Sequence, residues 1–261
     1  MHSTIVVERK VYTAIINLNR PKVKNALSMQ MVEELLVTLD RLQKDKKTRV
    51  IVITGKGSSF CTGRDLNDAK KIAKGDLVKR RFAYQRMAEL MIKLSEATKP
   101  IIAAVQGYAM GGGCGLAASC DLIIASEDAV FGVPEVKIGL VPGTVTPPLF
   151  LSIGRKKASE MLLTGETLDA FEAFRIGLVN RVVPKQKLIE STLELAKKIA
   201  QNSPIAIKIW KQTVNHNYNA NYAGLVNNFA EIVTLSSLTA DASEGISAFF
   251  EKREPCWLIA N

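Results

Sequence analysis

The sequence Ala104-Val-Gln-Gly-Tyr-Ala-Met-Gly-Gly-Gly-Cys-Gly-Leu-Ala-Ala-Ser-Cys-Asp121 joins a predicted buried strand to a short helix of small residues. Three consecutive glycines, from Gly111 to Gly113, stand where that helix is expected to begin. Because glycine has no Cβ, its backbone N–H can come into contact with a ligand. The first N–H groups of a helix have no partner within it and carry the positive end of its dipole, so they favour developing negative charge. The stretch therefore predicts an oxyanion hole, with Glu135 as the candidate carboxylate.

The size and composition of the chain indicate a globular protein with a large core. Of the 261 residues, 47% are apolar and 23% are charged, which is typical of soluble domains. The segment between Lys99 and Asp121 carries no charge and is long enough to span a bilayer. Pro100, Gln106 and five glycines interrupt it, however, and this pattern favours a buried strand, a loop and a helix. We expect no membrane segment.

The N-terminus and the cysteines indicate a cytoplasmic protein. The first ten residues contain no long apolar run, so no signal peptide is expected. The four cysteines, Cys61, Cys114, Cys120 and Cys256, show no CxxC spacing. Cysteines without such spacing are expected to be free thiols in a reducing compartment.

The net charge of +10 leaves open a polyanionic partner. Nucleic acid is one candidate, a phosphate-bearing cofactor is another, and the charge can also serve solubility alone. The basic residues concentrate at positions 44–49 and 70–86. In the second segment they alternate with acidic and apolar residues, as on a solvated surface helix. This pattern favours the solvated face, and nucleic acid binding is not expected.

Strands and helices alternate along most of the chain, which predicts an α/β fold with parallel crossings. Strands are predicted at Ile5 to Val7, Thr13 to Leu18, Val50 to Thr54, Ile101 to Val105 and Leu122 to Ala125, and helices at Met29 to Leu42, from Asp65 to about Leu94, and from near Pro148. After Pro184 the pattern becomes helix upon helix, at Lys187 to Gln201, after Ser203, at Asn221 to Leu238 and at Ala240 to Lys252. We therefore expect a core at residues 1–184 and a helical region at residues 185–261 that packs on the core or on a neighbouring subunit.

Several kinds of chemistry are excluded by the residues that are missing. The chain has only two histidines, His2 and His216, and no Gly-x-Ser-x-Gly, which argues against a Ser-His-Asp hydrolase. No histidine or cysteine cluster has the spacing of a metal site. The glycine run does not fit the dinucleotide-binding pattern, because Leu116 stands at its last position, and it lacks the Gly-Lys-Ser/Thr of a P-loop. Backbone N–H donors and carboxylates remain.

Five motifs occur in order along the chain: Arg20-Pro-Lys-Val-Lys-Asn-Ala-Leu27, Phe60-Cys-Thr-Gly-Arg-Asp-Leu66, Gly107-Tyr-Ala-Met-Gly-Gly-Gly113, Pro134-Glu135 with Gly139-Leu-Val-Pro-Gly143, and Ala240-Asp-Ala-Ser-Glu-Gly-Ile-Ser-Ala-Phe-Phe-Glu-Lys-Arg253. With these motifs the chain resembles the enoyl-CoA hydratase/isomerase (crotonase) superfamily from about residue 5 to residue 253. The resemblance implies a ClpP-like spiral of ββα units and a helical C-terminal region that builds trimers, often paired into hexamers. It also implies an acyl-CoA substrate, with coenzyme A as part of that substrate and no separate cofactor or metal.

The resemblance further implies the roles of individual residues. The thioester oxygen is expected between the backbone N–H groups of Arg64 and Gly112, with Glu135 as the acid/base. The segment Arg64-Asp-Leu-Asn67 is expected to line the adenine and pantetheine groove. Further contacts with the substrate are implied for Lys24, Ala26, Asp65, Leu66, Asn67, Gly111 and Pro134. Lys22, Lys24 and the basic helix after Asn67 are candidates for the CoA phosphates. Asp65 and Asp121 are also interpreted as structural residues of a turn and a helix end.

Two single residues and one short segment depart from the family pattern. Gly115 stands where two-carboxylate hydratases have a glutamate that helps to hold the attacking water. Residues 142–148 read Pro-Gly-Thr-Val-Thr-Pro-Pro where many members have Pro-Gly-Ala-Gly-Gly, so Thr144 and Thr146 either touch the acyl group or, preferably, shape the turn. Arg64 replaces a frequent alanine, although the expected role needs only its N–H.

A single carboxylate suits double-bond isomerisation directly, because one base can remove and return a proton. It suits hydration if other groups or the substrate orient the water. Other enolate chemistry such as decarboxylation, a CoA-binding protein without catalysis, and an RNA-binding protein remain alternatives. Position 115 lies three residues beyond Gly112 and is expected on nearly the same helix face.

Overall fold

The computed structural model describes residues 3–73, 76–218 and 222–255. Within them the strands are β1 (Ile5–Lys10), β2 (Thr13–Leu18), β3 (Val50–Gly55), β4 (Ile101–Val105), β5 (Tyr108–Met110), β6 (Leu122–Ser126), β7 (Val130–Gly132), β8 (Thr167–Asp169) and β9 (Arg181–Val183). The helices are α1 (Met29–Lys44), α2 (Leu66–Ala73), α3 (Leu77–Ser95), α4 (Gly112–Ala118), α5 (Thr146–Thr164), α6 (Ala170–Arg175), α7 (Leu188–Ala200), α8 (Pro204–Tyr218), α9 (Tyr222–Ser236) and α10 (Ala240–Glu251). Short helical turns lie at Pro21–Val23, Pro134–Ile138, Gly143–Val145 and Lys185–Lys187.

The nine strands of the described residues form two sheets, and the chain winds between them as a spiral. The larger sheet has the order β1-β2-β3-β4-β6-β9, and the smaller has the order β5-β7-β8. Only β1 and β2 pair antiparallel in the larger sheet, and its other pairs are parallel. The chain passes from β4 to β5 and from β6 to β7, so successive ββα turns place one strand in each sheet. The predicted α/β fold, a spiral of ββα units, is confirmed.

The predicted elements of the first half follow from their residues. All six residues of β3 and all five of β4 are buried, as expected of strands covered on both faces. Helix α1 buries the predicted stripe, which includes Leu35 and Leu39, against the main core. The Oγ of Ser28 accepts a hydrogen bond from the backbone N of Met31 at 3.2 Å, which makes Ser28 the predicted N-cap.

One predicted helix is wrong in extent. The polar region from Asp65 to about Leu94 forms two helices, α2 and α3. The side chain of Asp76 accepts a hydrogen bond from the backbone N of Lys79 at 2.9 Å, so a new helix begins there. The strands β5, β7, β8 and β9 were not expected from the sequence, because three residues are too few to show a period of two.

Two of the C-terminal helices, α7 and α9, pack on the core. Helix α7 covers one face of the larger sheet, where Leu188, Ala196 and Ala200 join a cluster with residues of β2, β3, β4 and β6. Helix α9 contributes Val226, Ala230 and Val233 to the main core on the opposite face. The part of the predicted helix at Asn221 lies outside the described residues.

An ion pair with the buried side chain of Lys211 connects the same helical region to the strands. The Nζ of Lys211, in α8, lies 2.5 Å from Oδ2 of Asp121, and Asp121 also accepts a hydrogen bond from the backbone N of Ile101 at 2.7 Å. Asp121 is therefore the structural residue that the sequence predicted.

None of the described helices has both the length and the apolar character that a bilayer span requires.

The predicted free thiols are present at three positions. Cys61, Cys114 and Cys120 are free, while Cys256 lies outside the described residues. Burial raises the pKa of the Cys61 and Cys114 thiols to about 12, with the Glu135 carboxylate adding to the effect at Cys114. These thiols are therefore protonated at neutral pH.

Candidate active site

A cavity of about 850 Å³ lies where α2, α3, α4 and α10 meet the turns at Pro134–Ile138 and Gly143–Val145. All ten residues predicted to form the site line this single cavity: Lys24, Ala26, Arg64, Asp65, Leu66, Asn67, Gly111, Gly112, Pro134 and Glu135. Thr144 also lines it. The structure thus brings together residues that are up to 111 positions apart in the sequence.

The backbone N–H groups of Arg64 and Gly112 converge at the wall of the cavity. Arg64 forms a parallel bridge with Leu27, in which Leu27 N donates to Gly63 O at 2.7 Å and Asp65 N donates to Leu27 O at 3.0 Å. This pairing leaves the N–H of Arg64 on the other side, facing Gly112. A Cβ placed on Gly112 would lie 3.8 Å from the Arg64 nitrogen. Neither N–H donates to a partner within the described part of the chain.

Gly111 makes room for the candidate carboxylate. Its φ is +50°, a value that side-chain-bearing residues rarely adopt. A Cβ at this position would also come within 2.6 Å of Oε1 of Glu135. Glycine at 111 therefore satisfies the turn into α4 and lets the carboxylate lie directly beside the first N–H groups of that helix.

Glu135 is held in a buried and largely unpaired state. Its Oε2 is buried and has no hydrogen-bond partner among the described residues. Burial raises the pKa of the Glu135 carboxyl to about 7, partly offset by a hydrogen bond from the residue's own backbone. Because burial disfavours the ionised form, the carboxyl exchanges its proton near neutral pH. Such a group can act as base and acid in turn.

The side chain of Val145 covers Gly115, which stands where two-carboxylate hydratases have a glutamate. A Cβ on Gly115 would meet Cγ2 of Val145 at 3.2 Å and its Cα at 3.4 Å. Val145 lines the cavity, whereas Gly115 is not among the described residues that do. The expectation that position 115 shares the face of Gly112 is therefore incomplete, because an apolar side chain from the following turn lies between position 115 and the cavity.

Thr144 and Thr146 have different positions. Thr146 begins α5, and its Oγ1 donates to the backbone O of Pro142 at 2.8 Å. It shapes the turn, as the sequence favoured. Thr144 is buried and lines the cavity, whereas Thr146 is not among the described residues that line it.

Asp65 has the structural role that the sequence also allowed. Its Oδ2 lies 2.7 Å from Nη2 of Arg20, and its Oδ1 accepts a hydrogen bond from the backbone N of Asn67 at 2.9 Å. These contacts keep its pKa below the usual range of a carboxyl despite burial. Asp65 thus begins α2 and holds the loop that presents the N–H of Arg64.

Three residues of the site were missed from the sequence: Asn25, Tyr84 and Val145. Asn25 is fully buried, and its side chain accepts from Arg20 N at 2.9 Å and donates to Ser59 O at 2.8 Å. It holds Lys24 at the cavity, with the Lys24 Nζ 4.7 Å from the ring centroid of Tyr108. Asn25 could have been found from the sequence, because it lies in the first of the five motifs, Arg20 to Leu27. Tyr84 gave no such signal, because it lies in a helix without a motif.

Comparisons with known proteins show what the whole chain is similar to. A family model described as enoyl-CoA hydratase/isomerase matches residues 8–258. A probable mitochondrial enoyl-CoA hydratase of Dictyostelium discoideum is 40% identical over 258 residues, which cover 97% of this chain and 90% of that protein. A 2,3-dehydroadipyl-CoA hydratase of Escherichia coli (strain K12) is 39% identical over 255 residues, covering 97% and 98%. The crystal structure of an enoyl-CoA hydratase/isomerase from Xanthobacter autotrophicus Py2 superposes with a TM-score of 0.90 at 30% identity, covering 96% of this chain and 94% of that one.

Proposed function

The chain belongs to the enoyl-CoA hydratase/isomerase family, and we propose that it converts enoyl-CoA thioesters with Glu135 as its single acid/base. Its relatives make it an acyl-CoA-processing enzyme of the crotonase type. The observation that carries the proposal is the placement of Glu135: its Oε1 lies against Gly111, one residue from the unpaired N–H of Gly112. A base and an oxyanion hole therefore line the same cavity wall.

In this mechanism the thioester oxygen accepts hydrogen bonds from the N–H groups of Arg64 and Gly112. As a proton leaves the carbon next to the carbonyl, or as a nucleophile adds to the conjugated double bond, negative charge gathers on that oxygen. One preorganised donor of this kind contributes about 10²–10³ in rate. Glu135 removes the proton in its ionised form and returns it in its protonated form, which its pKa of about 7 allows near neutral pH.

The two possible reactions draw support from different observations. Double-bond isomerisation needs one base, and Gly115 with Val145 leaves no second carboxylate beside Glu135 on this wall of the described cavity. Hydration is supported by the two relatives from Dictyostelium discoideum and Escherichia coli, which are both described as hydratases. Hydration here would require Glu135 and the substrate itself to orient the water. Decarboxylation uses the same enolate and is the rival within the family.

The remaining cavity suits coenzyme A as part of the substrate. Leu66, Asn67 and Pro134 extend the wall beyond the oxyanion hole, and Lys24 lies at the same cavity with a positive charge suited to phosphate. The proposed chemistry requires no metal and no redox cofactor. We also propose that the enzyme works in the cytoplasm as a homotrimer or hexamer.

The basic segment 70–86 gives little support to the alternative function as an RNA-binding protein. Nε of Arg81 lies 2.7 Å from Oε1 of Glu231, and Nε of Arg86 lies 2.6 Å from Oε1 of Glu33. Nη1 of Arg80 donates to the backbone O of Ser237 at 2.8 Å. These arginines bind other parts of the chain, and a polyanion would have to compete for them; Lys74 lies outside the described residues.

A panel of thioesters tests the proposal. Crotonyl-CoA, a β,γ-unsaturated enoyl-CoA, 3-methylglutaconyl-CoA and malonyl-CoA are incubated with the enzyme, and the products are separated and read by mass spectrometry. Gain of one water identifies hydration, a shifted double bond at constant mass identifies isomerisation, and loss of carbon dioxide identifies decarboxylation. Absence of conversion for every thioester would contradict the proposed function.

A further inference from the structure

The guanidinium of Arg64 is a part of the site that the proposed reaction does not use. The oxyanion hole needs only the backbone N–H of this residue. The side chain nevertheless lines the cavity, and its guanidinium carbon lies 4.2 Å from the ring centroid of Tyr84. Its Nη2 is buried and has no hydrogen-bond partner in residues 3–73, 76–218 and 222–255. No other hydrogen bond or ion pair of Arg64 occurs within the described residues.

No carboxylate of the described residues pairs with this cation. Among the described residues that line the cavity, Asp65 is paired with Arg20, and Asp68 accepts a hydrogen bond from the backbone N of Met29 at 3.1 Å. Glu135 is not a partner either, because its Oε2 is also buried without a hydrogen bond. Leaving a buried donor of a charged group unpaired is costly, and removing its solvent strengthens its attraction for an anion.

The other guanidinium at the cavity differs from Arg64. Arg253 forms ion pairs with Glu244 and Glu251, each at 2.6 Å. The two arginines therefore differ in their partners. Carboxylates of the chain neutralise Arg253, whereas Arg64 stacks on Tyr84 and its Nη2 can still donate hydrogen bonds to a ligand. Stacking of this kind fixes the plane of the guanidinium without consuming its N–H donors.

We propose that Arg64 binds a carboxylate at the far end of the acyl group, so that the preferred substrates are CoA thioesters of short unsaturated dicarboxylic acids. This inference rests on the proposed function and specifies its substrate class. The planar fork of a guanidinium matches a carboxylate with two parallel hydrogen bonds. The thioester oxygen and the carboxylate would then contact the same residue, one through its N–H and the other through its side chain, which limits the acyl chain to a length that one arginine can bridge.

The surroundings of Arg64 place it at the acyl end of the cavity and not at the CoA phosphates. Tyr84, on which it stacks, is buried and belongs to the main core, as does the neighbouring Met87. Both also line the cavity. Phosphate groups retain their solvent, whereas an acyl group enters the buried part of a pocket. A carboxylate carried into this apolar wall is tolerated only where a cation such as Arg64 receives it.

A binding experiment tests this inference without depending on turnover. Glutaryl-CoA and valeryl-CoA have acyl chains of the same length, and only the first ends in a carboxylate; both lack the double bond. Calorimetric titration of the wild-type enzyme is expected to show glutaryl-CoA binding about tenfold to a hundredfold more tightly, the range of a hydrogen-bonded charged pair. Arg64→Met, of similar length but neutral, should lose this preference, and Arg64→Lys should retain part of it.

The outcomes separate this inference from the proposed function. Equal affinities of the wild type for the two ligands would overturn the inference, and this comparison needs no variant that might fail to fold. A preference that persists in Arg64→Met would overturn it as well. Turnover of pentenoyl-CoA and glutaconyl-CoA by the wild type is measured in parallel. If neither reacts while glutaryl-CoA still binds preferentially through Arg64, the proposed function fails and the carboxylate site stands.

Discussion

Val145 packs directly against the Cα of Gly115, since a Cβ on that glycine would lie 3.2 Å from Cγ2 of the valine. Gly115 replaces the glutamate of two-carboxylate family members, and Val145 replaces the first glycine after alanine in their Pro-Gly-Ala-Gly-Gly pattern. The two departures are therefore complementary: the side chain absent from position 115 is compensated by one at position 145. The result is an apolar side chain at position 145 in the wall of the cavity that Glu135 also lines.

This relationship predicts how the second carboxylate can be restored. Gly115→Glu alone should overpack against Val145 and destabilise the fold by about 1–3 kcal/mol. Gly115→Glu combined with Val145→Gly provides the space and should raise hydration of crotonyl-CoA relative to isomerisation of a β,γ-enoyl-CoA. Both rates are measured by product analysis after thermal unfolding has confirmed the fold. An unchanged ratio in a folded, CoA-binding double variant, with brisk hydration by the wild type, would mean that other groups hold the water, and Thr144 would be tested next.

A methyl group on Gly112 should stabilise the protein and slow the reaction. The Cβ of Gly112→Ala would make an ordinary contact of 3.5 Å with Leu27 and lie 3.8 Å from the nitrogen of Arg64, within the proposed oxyanion hole. Alanine in a helix is more favourable than glycine by about 0.5–1 kcal/mol, whereas loss of one oxyanion contact costs about 10²-fold in rate. Urea unfolding and steady-state kinetics measure the two effects.

Gly115→Ala is the matched control for that variant. It adds the same methyl group in the same helix, against Val145 and outside the residues that line the described cavity. We expect it to retain most of the activity. Equal losses of rate in Gly112→Ala and Gly115→Ala would indicate a general effect on helix α4 and would remove the support for an oxyanion hole at Gly112.

The buried Glu135 should make the protein less stable as pH rises. Its folded pKa of about 7 exceeds 4.5, the ordinary pKa of a glutamate carboxyl, so between these two pH values the folded state binds more protons than the unfolded state. Stability contributed by the protonated carboxyl is therefore lost as pH rises through this window. Glu135→Gln lacks the titration and should be more stable than the wild type by on the order of 3 kcal/mol at about pH 8.

Urea unfolding of both proteins at about pH 5 and about pH 8 measures this difference. The gain in stability of Glu135→Gln should be small at the lower pH. There the folded wild type has a protonated, neutral carboxyl at position 135, and the amide of the variant is neutral as well. A gain that is the same at both pH values would show that the carboxyl has an ordinary pKa in the folded protein.

The C-terminal helices predict a self-associating protein. Ile205 and Ile209 in α8 are exposed one helical turn apart on the same face, and Trp210 next to them is exposed as well, although the chain already has a large core. Exposed apolar patches of this kind mark interfaces. We expect a trimer or hexamer by light scattering at micromolar concentration, and Trp210→Asp should weaken it. A monomeric wild type would contradict this assembly.

The sequence predicted much of the fold because its signals were local. Strands β3 and β4 are continuous apolar runs, and Ser28 has the spacing of an N-cap. The residues expected at the site line one cavity, and their motifs concern backbone geometry: glycine at 111 is required by its positive φ and by the approach of Glu135. The restart of a helix at Asp76 depends on one capping hydrogen bond, which competes with an otherwise continuous helical pattern.

What the sequence did not show depends on contacts between distant segments. Arg64 was expected to act only through its N–H, and its stacking on Tyr84 arises because α3 crosses the cavity. The contact between Val145 and Gly115 likewise joins two turns that have no common motif. Gly115 and Val145 compensate each other across this contact, but in the sequence they are 30 positions apart and are seen as two unrelated departures from the family pattern.

The most direct test of the proposed single acid/base is kcat/KM as a function of pH for the wild type and Glu135→Gln. With a substrate identified by the thioester panel, the wild-type value should rise with pH through about 7, because the ionised carboxylate is the base. Glu135→Gln should lose at least about 10²-fold in rate and the pH dependence with it, while its affinity for the CoA thioester changes little. Near-wild-type turnover by Glu135→Gln, or the same rise with pH in both enzymes, would contradict Glu135 as the acid/base.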